Sequence, residues 1–151
     1  MYNDQILKLN NEQIENLDNL LSVLKNLQTA IVQNDLEKIE STIEQEEKVL
    51  NRIKLCEEKR FDTLKTLLNH YGIKAEKTEA LDELAKVILT SDPEAYQEFS
   101  QMRSNLLEKV KEVLLINQQN EIIINNSRKF IRDLIKSVLG SRKENFFDRK
   151  I

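Results

Sequence analysis

The chain contains 151 residues, about the length of one domain, and among them are only two glycines and one proline. So few turn-forming residues exclude a sheet of many short strands, whereas 40% hydrophobic and 32% charged residues without tryptophan are typical of long helices. A net charge of −3 gives no overall field that would attract nucleic acid, and no apolar run approaches the roughly 20 residues that span a bilayer. We therefore predict an all-α cytoplasmic protein that neither binds nucleic acid nor inserts into a membrane.

The first two predicted helices form a hairpin. Apolar side chains recur at helical spacing over about residues 3–33, and Asn34 followed by Glu37 fits a capping box that starts a second helix over about residues 35–71. Gly72 then ends that helix as a left-handed cap. The second helix carries its predicted core stripe on a seven-residue repeat: Leu36, Ile39, Ile43, Leu50, Ile53, Leu64, Leu67 and Tyr71. Because only two or three residues join them, the two helices are expected to pack antiparallel.

A short helix and a long helix follow the hairpin. The short helix is predicted over about residues 79–89, after a polar loop. Asp92 as the N-cap and Pro93 at the first helical position then start a long helix over about residues 93–139. Its predicted core stripe includes Tyr96, Phe99, Leu106, Val110, Val113, Ile124, Ile131, Leu134 and Val138.

The last helix is longer than the others can cover. We predict one domain over residues 1–140, an elongated antiparallel helical bundle or coiled-coil hairpin with a long C-terminal helix, and a flexible tail over residues 141–151. A helix over residues 93–139 spans about 70 Å, whereas one over residues 3–33 spans about 46 Å. About 20 Å of the last helix must therefore project, unless the helix breaks or another chain covers its apolar face.

The projecting end is both basic and apolar, so we predict that it binds a partner. Residues 127–151 hold eight basic and three acidic side chains, a net charge of +5. A partner helix can bury its own apolar side chains against such a helix face. The predicted partner-binding face consists of Phe130, Ile131, Leu134, Ile135, Val138 and Leu139.

Polar residues interrupt the predicted core stripes at a few positions. Three uncharged ones lie on the stripe of the last helix: Asn117, Asn120 and Ser127. They either form a buried amide layer that fixes the register or, with Asn125 and Asn126 as poor helix formers, mark a hinge. In the second helix, Glu46, Glu57 and Arg60 fall in line with the core stripe, and polar residues in such a seam usually fix register and partner choice.

Residues that carry chemistry are sparse. His70 is the single histidine, so a metal site or a catalytic triad would rest on it alone. Cys56 has no second cysteine to pair with and fits a small buried apolar role. The sequence contains no glycine-rich phosphate loop. We therefore predict that the chain is not an enzyme and has no catalytic, cofactor-binding or metal-binding residues.

Several short motifs follow one another in a definite order along the helices. In chain order they are Ala30 with Ile31, Asn34 to Leu36, Glu47 with Lys48, Leu50, Arg60, Ile116 to Asn120, and Ile123 with Ile124. This order resembles the FlgN family of flagellar export chaperones over nearly the whole chain. The resemblance implies a cytoplasmic helical bundle that binds the C-terminal helices of hook-filament junction (hook-associated) proteins, keeps them unpolymerised and delivers them to the flagellar export apparatus. It places the partner-binding segment on the face from Phe130 to Leu139.

Two other functions remain open from the sequence alone. The chain is compatible with a structural coiled-coil homo-oligomer, such as a homodimer, in which a second copy covers the exposed stripe. It is also compatible with an adaptor that uses the basic C-terminal end on a nucleic acid or a membrane surface.

Overall fold

Four helices make up the described part of the chain. The computed structural model describes residues 2–76 and 79–139. Its helices are α1 (Tyr2–Val32), α2 (Leu36–His70), α3 (Ala80–Ser91) and α4 (Pro93–Leu139). These residues contain no strand, so the predicted all-α class is confirmed. The predicted tail over residues 141–151 lies outside the described residues.

The turn between α1 and α2 uses two adjacent polar residues for two different tasks. The Asn34 N–H donates to the Ile31 carbonyl oxygen and the Asp35 N–H to the Ala30 carbonyl oxygen, each at 3.0 Å, which closes the C-terminus of α1. Asn34 has a positive φ of 53°, a conformation that its short side chain tolerates. The Asp35 side chain accepts from the Lys38 N–H at 3.2 Å and starts α2. The predicted capping box at Asn34 is therefore wrong, because Asn34 ends α1 and Asp35 caps α2.

The other two predicted caps are confirmed. Gly72 has a φ of 70°, and the Ile73 N–H donates to the Leu68 carbonyl oxygen at 2.9 Å, as in a glycine-terminated helix. At the start of α4, the Asp92 carboxylate accepts from the Ala95 N–H at 3.1 Å. Both ends therefore satisfy backbone groups that a free helix end would leave unpaired.

α1 is the central helix of the structure. It packs along α2 and along α4, whereas α2 and α4 do not pack against each other in the described residues. Asp18 on α1 pairs with Lys109 on α4 at 2.8 Å, and Asn120 further along α4 contacts Leu24 further along α1. α1 and α4 therefore run in the same direction, and α2 runs antiparallel to both. α3 packs against α2 and α4 at one end.

Two apolar clusters hold the helices together. At the α3 end, the buried residues are Ile6, Leu64, Leu68, Ala80, Leu84, Ile88 and Phe99. In the middle of the long helices, which we call the central cluster, they are Leu20, Leu24, Leu27, Val49 and Ile116. Because the central cluster takes side chains from α1, α2 and α4, it fixes both outer helices on α1.

The buried face of α2 differs in part from the predicted stripe. Four residues that the stripe includes are exposed, so the prediction is wrong for them: Leu36, Ile43, Leu50 and Tyr71. Thr42, Val49 and Cys56 are buried instead. Polar atoms at two of these positions find backbone acceptors, since the Thr42 hydroxyl donates to the Lys38 carbonyl oxygen and the Cys56 thiol to the Leu9 carbonyl oxygen. Such satisfied polar side chains are buried at little cost.

α4 extends beyond the end of the hairpin formed by α1 and α2. Val32, the last residue of α1, lines a surface cavity together with Ile123 of α4. α4 continues without interruption to Leu139, about 24 Å further. Residues 127–139 therefore extend past the end of the hairpin. Across the described residues, no helix has an apolar stretch that would reach through a bilayer.

Candidate functional site

An open groove lies between α2 and α4. α1 forms its floor through Leu17, and Leu81 of α3 lies at one end. On the α2 side the apolar wall contains Ile53, and on the α4 side it contains Leu106 and Leu107. The cavity that these residues line has a volume of about 450 Å³. The groove exists because α1 is covered by two helices that leave its third side open.

An exposed apolar row on α4 begins in the groove at Leu107 and Val110 and continues along the helix to Leu114. Leu107 and Leu114 are each 55% exposed and Val110 is 39% exposed. Their spacing of three and four residues places them on one side of α4, next to the face that packs on α1. The predicted core position of Val110 is therefore wrong, because the side chain lines the groove. Exposed apolar rows of this kind are typical of surfaces that bind a partner.

The α2 wall continues towards the hairpin turn. Leu50, Ile43 and Leu36 precede Glu57, which lines the groove, at successive intervals of seven residues. This interval returns to nearly the same side of a helix that packs as a coiled coil. The exposed Leu36, Ile43 and Leu50, which the sequence predicts to be core residues, therefore lie on the groove side of α2 and are not scattered over its surface.

A hydrogen-bonded network forms the polar end of the groove. Arg60 is 6% exposed, and its Nε donates to the Asn10 Oδ1 at 2.8 Å. Its guanidinium also pairs with Glu57, which accepts in addition from the Gln13 Nε2 at 3.2 Å. Because these bonds join α1 to α2 and leave the buried guanidinium paired, they favour one register of the hairpin.

Glu46 precedes Ile53, which lines the groove, by one heptad, and this spacing places it on nearly the same side of α2. Ile39 and Ile53, one heptad to either side, both pack against the central cluster. Glu46 between them is partly buried, and in the described part of the chain no hydrogen bond or ion pair is formed by its carboxylate. Burial raises the pKa of the Glu46 carboxyl, and the neighbouring Glu47 carboxylate adds to this rise.

Of the two predicted register or hinge residues whose side chains the structure describes, Asn120 is buried between α1 and α4. Asn120 is 2% exposed, and its Nδ2 donates to the Leu24 carbonyl oxygen at 3.1 Å, while its Oδ1 has no partner in the described structure. Asn117 is exposed, and the Ser127 side chain lies outside the described residues. α4 is one uninterrupted helix through this stretch. The register interpretation thus stays a proposal that rests on Asn120.

The predicted partner-binding face lies on the part of α4 that extends past the hairpin. The structure describes the backbone there as helical, and the Ile135 side chain is partly buried. The side chains of the other five predicted residues lie outside the described part: Phe130, Ile131, Leu134, Val138 and Leu139. Their role as a binding face stays a prediction.

The residues considered for chemistry are dispersed. Within residues 2–76 and 79–139, no group of three histidine, cysteine or carboxylate side chains is placed to hold a metal ion. His70 is exposed and meets the Tyr71 ring edge-on at 5.5 Å between centroids. Cys56 is buried, and desolvation, with a smaller contribution from Glu12, raises the pKa of its thiol. The groove between α2 and α4, rather than any cluster of these reactive side chains, is therefore the candidate functional site.

Comparison with known proteins identifies the family. A family model described as FlgN protein matches residues 1–150. A search of curated proteins and a search of solved structures each found no significant match. The match covers nearly the entire chain and confirms the resemblance carried by the sequence motifs. The chain belongs to the FlgN family, whose members are flagellar export chaperones.

Proposed function

We propose that this chaperone captures an amphipathic helix of its export client in the groove between α2 and α4. The client is the C-terminal helical segment of a hook-filament junction (hook-associated) protein, held in the cytoplasm until it reaches the flagellar export apparatus. The observation that supports this proposal is the row of exposed apolar side chains at Leu107, Val110 and Leu114 beside an open groove. A helix laid in the groove would complete a four-helix arrangement around α1.

The three apolar anchors supply part of the free energy that a reversible complex with the client needs. Full burial of a Leu or Val side chain contributes about 1.5 to 3 kcal/mol, so three anchors contribute roughly 5 to 9 kcal/mol before the cost of association. A micromolar complex needs a net of about 8 kcal/mol, which the rest of the groove and the client's own side chains must complete. Capture by burial alone needs neither a cofactor nor a metal, and we expect no catalytic turnover.

A second part of the client site is proposed on the projecting end of α4. The face formed by Phe130, Ile131, Leu134, Ile135, Val138 and Leu139 is apolar in sequence and belongs to a segment of net positive charge. α1 ends before this face begins, so the hairpin leaves it open to a partner. A client segment longer than the groove would reach it along α4.

A matched pair of leucines on α4 tests the groove. Leu107 lines the groove and is 55% exposed, whereas Leu115 is 57% exposed, does not line the groove and lies about 80° further around α4. We expect Leu107→Asp to weaken binding of the C-terminal segment of a hook-filament junction protein about 30-fold in calorimetry, because an apolar anchor is lost and a charge is placed in the interface. Leu115→Asp should bind like the unmodified chain.

The melting temperatures of both variants should stay unchanged, since both leucines are largely exposed. Equal affinities of the two variants would contradict the groove as the client site. Light scattering provides the comparison with the homo-oligomer alternative: a stable dimer that Leu107→Asp dissociates would assign the groove to a second copy of the chain.

A further inference from the structure

We propose that Glu46 selects the client by pairing with a Lys or Arg side chain at the edge of the client helix's apolar face. This inference rests on the proposed occupation of the groove by a client helix and adds a specificity-determining contact to it. The occupant is thus an amphipathic helix of defined charge pattern, not any apolar helix.

Glu46 lies in line with two isoleucines of α2. On α2, Ile39, Glu46 and Ile53 repeat at intervals of seven residues, and both isoleucines pack against the central cluster. Ile53 also lines the groove. Glu46 is therefore about 10 Å from Ile53 along α2, or two helical turns. A client helix that contacts Ile53 and runs along α2 passes Glu46 two turns later.

Glu46 has no partner among the cations that line the groove. The two cations in its lining are already paired, since Arg60 bonds to Glu57 and Arg103 to Asp82 at 2.6 Å. Glu46 has no such partner within the described residues, although it is partly buried. A partly buried carboxylate loses hydration, and a cation brought by the client would offset that loss on binding. An apolar or acidic client side chain at this place would bury the carboxylate further without a partner.

The dimensions of the groove specify the rest of the client helix. The stretch of α2 from Glu46 to Arg60 is about 21 Å long, which corresponds to roughly 14 residues or four helical turns of a client. The client residues facing Leu107 and Ile53 should be apolar and spaced by three or four residues. The basic residue should lie about two turns away from them.

Two neighbouring glutamates provide the test. Glu46→Gln removes the proposed contact, whereas Glu47→Gln removes the same charge from an exposed position about 100° further around α2. The probe is the C-terminal segment of a hook-filament junction protein from the same genome, titrated by calorimetry into each full-length variant. In a second set, each Lys and Arg of the probe is replaced by Gln in turn.

We expect Glu46→Gln to weaken binding about fivefold and Glu47→Gln to leave it unchanged. One probe variant should bind the unmodified chain about fivefold more weakly than the original probe does. The same probe variant should bind Glu46→Gln no more weakly than the original probe does, which shows that the two side chains pair directly. Binding unaffected by Glu46→Gln, together with the loss expected for Leu107→Asp, would overturn this inference and leave the groove as the client site. Unchanged binding for both Glu46→Gln and Leu107→Asp would overturn the proposed function as well.

Discussion

Replacing Leu24 with Asp should unfold the protein or lower its melting temperature by about 15 °C or more. Leu24 is 2% exposed and lies in the central cluster, where α1, α2 and α4 meet. Loss of a buried leucine costs about 2 to 5 kcal/mol, and burial of an unpaired carboxylate adds several more. The sum approaches the 5 to 15 kcal/mol that typically stabilise a domain. Thermal unfolding followed by circular dichroism measures the effect.

The control for this variant is Glu44→Ala. Glu44 is exposed on α2, so its replacement should change the melting temperature by no more than about 2 °C. Similar melting temperatures for Leu24→Asp and Glu44→Ala would mean that the central cluster does not hold the three long helices together.

The double variant Ile131→Asp with Leu134→Asp should lose most of the client affinity while the fold is retained. Both positions belong to the part of α4 past the end of α1, and each apolar anchor contributes about 1.5 to 3 kcal/mol when buried. Removal of both therefore lowers a micromolar affinity of about 8 kcal/mol by roughly a hundredfold or more. Calorimetry with the junction-protein segment measures the affinity, and circular dichroism measures the melting temperature.

Ser137→Asp is the matched control, because it adds a negative charge to an exposed position of the same segment. It should reduce affinity far less than the double variant. A large fall in the melting temperature of the double variant would assign this face to the bundle core. Unchanged client binding would remove the projecting end of α4 from the client site.

The helices were predictable because their ends carry strong local signals. Gly72 adopts the left-handed conformation that its lack of a side chain permits, and Asp92 caps α4 as its position before Pro93 indicates. The tight turn was less predictable, since Asn34 and Asp35 are both competent N-caps. Only the backbone path shows that Asn34 has the positive φ and that Asp35 makes the capping bond.

The groove was not predictable from the apolar pattern. α4 carries two adjacent apolar rows, one through Leu106 and Val113 and one through Leu107 and Leu114, and periodicity alone does not say which row is covered. α1 covers the first and leaves the second open. On α2 the apolar pattern misidentifies the buried face, because Thr42 and Arg60 are polar but buried, while Ile43 is apolar but exposed. Hydrogen bonds satisfy both buried polar side chains, within α2 for Thr42 and to Asn10 of α1 for Arg60.

Protection of an introduced cysteine from alkylation tests occupation of the groove most directly. Leu107→Cys places a thiol in the groove and Leu115→Cys places one outside it, about 80° further around α4, at similar exposure. The buried native Cys56, whose thiol pKa is raised by its burial, should react slowly in both variants. A saturating junction-protein segment should slow maleimide labelling at position 107 by about tenfold or more and leave the rate at position 115 unchanged. Equal labelling of position 107 with and without the bound segment, or protection at position 115 instead, would contradict the account.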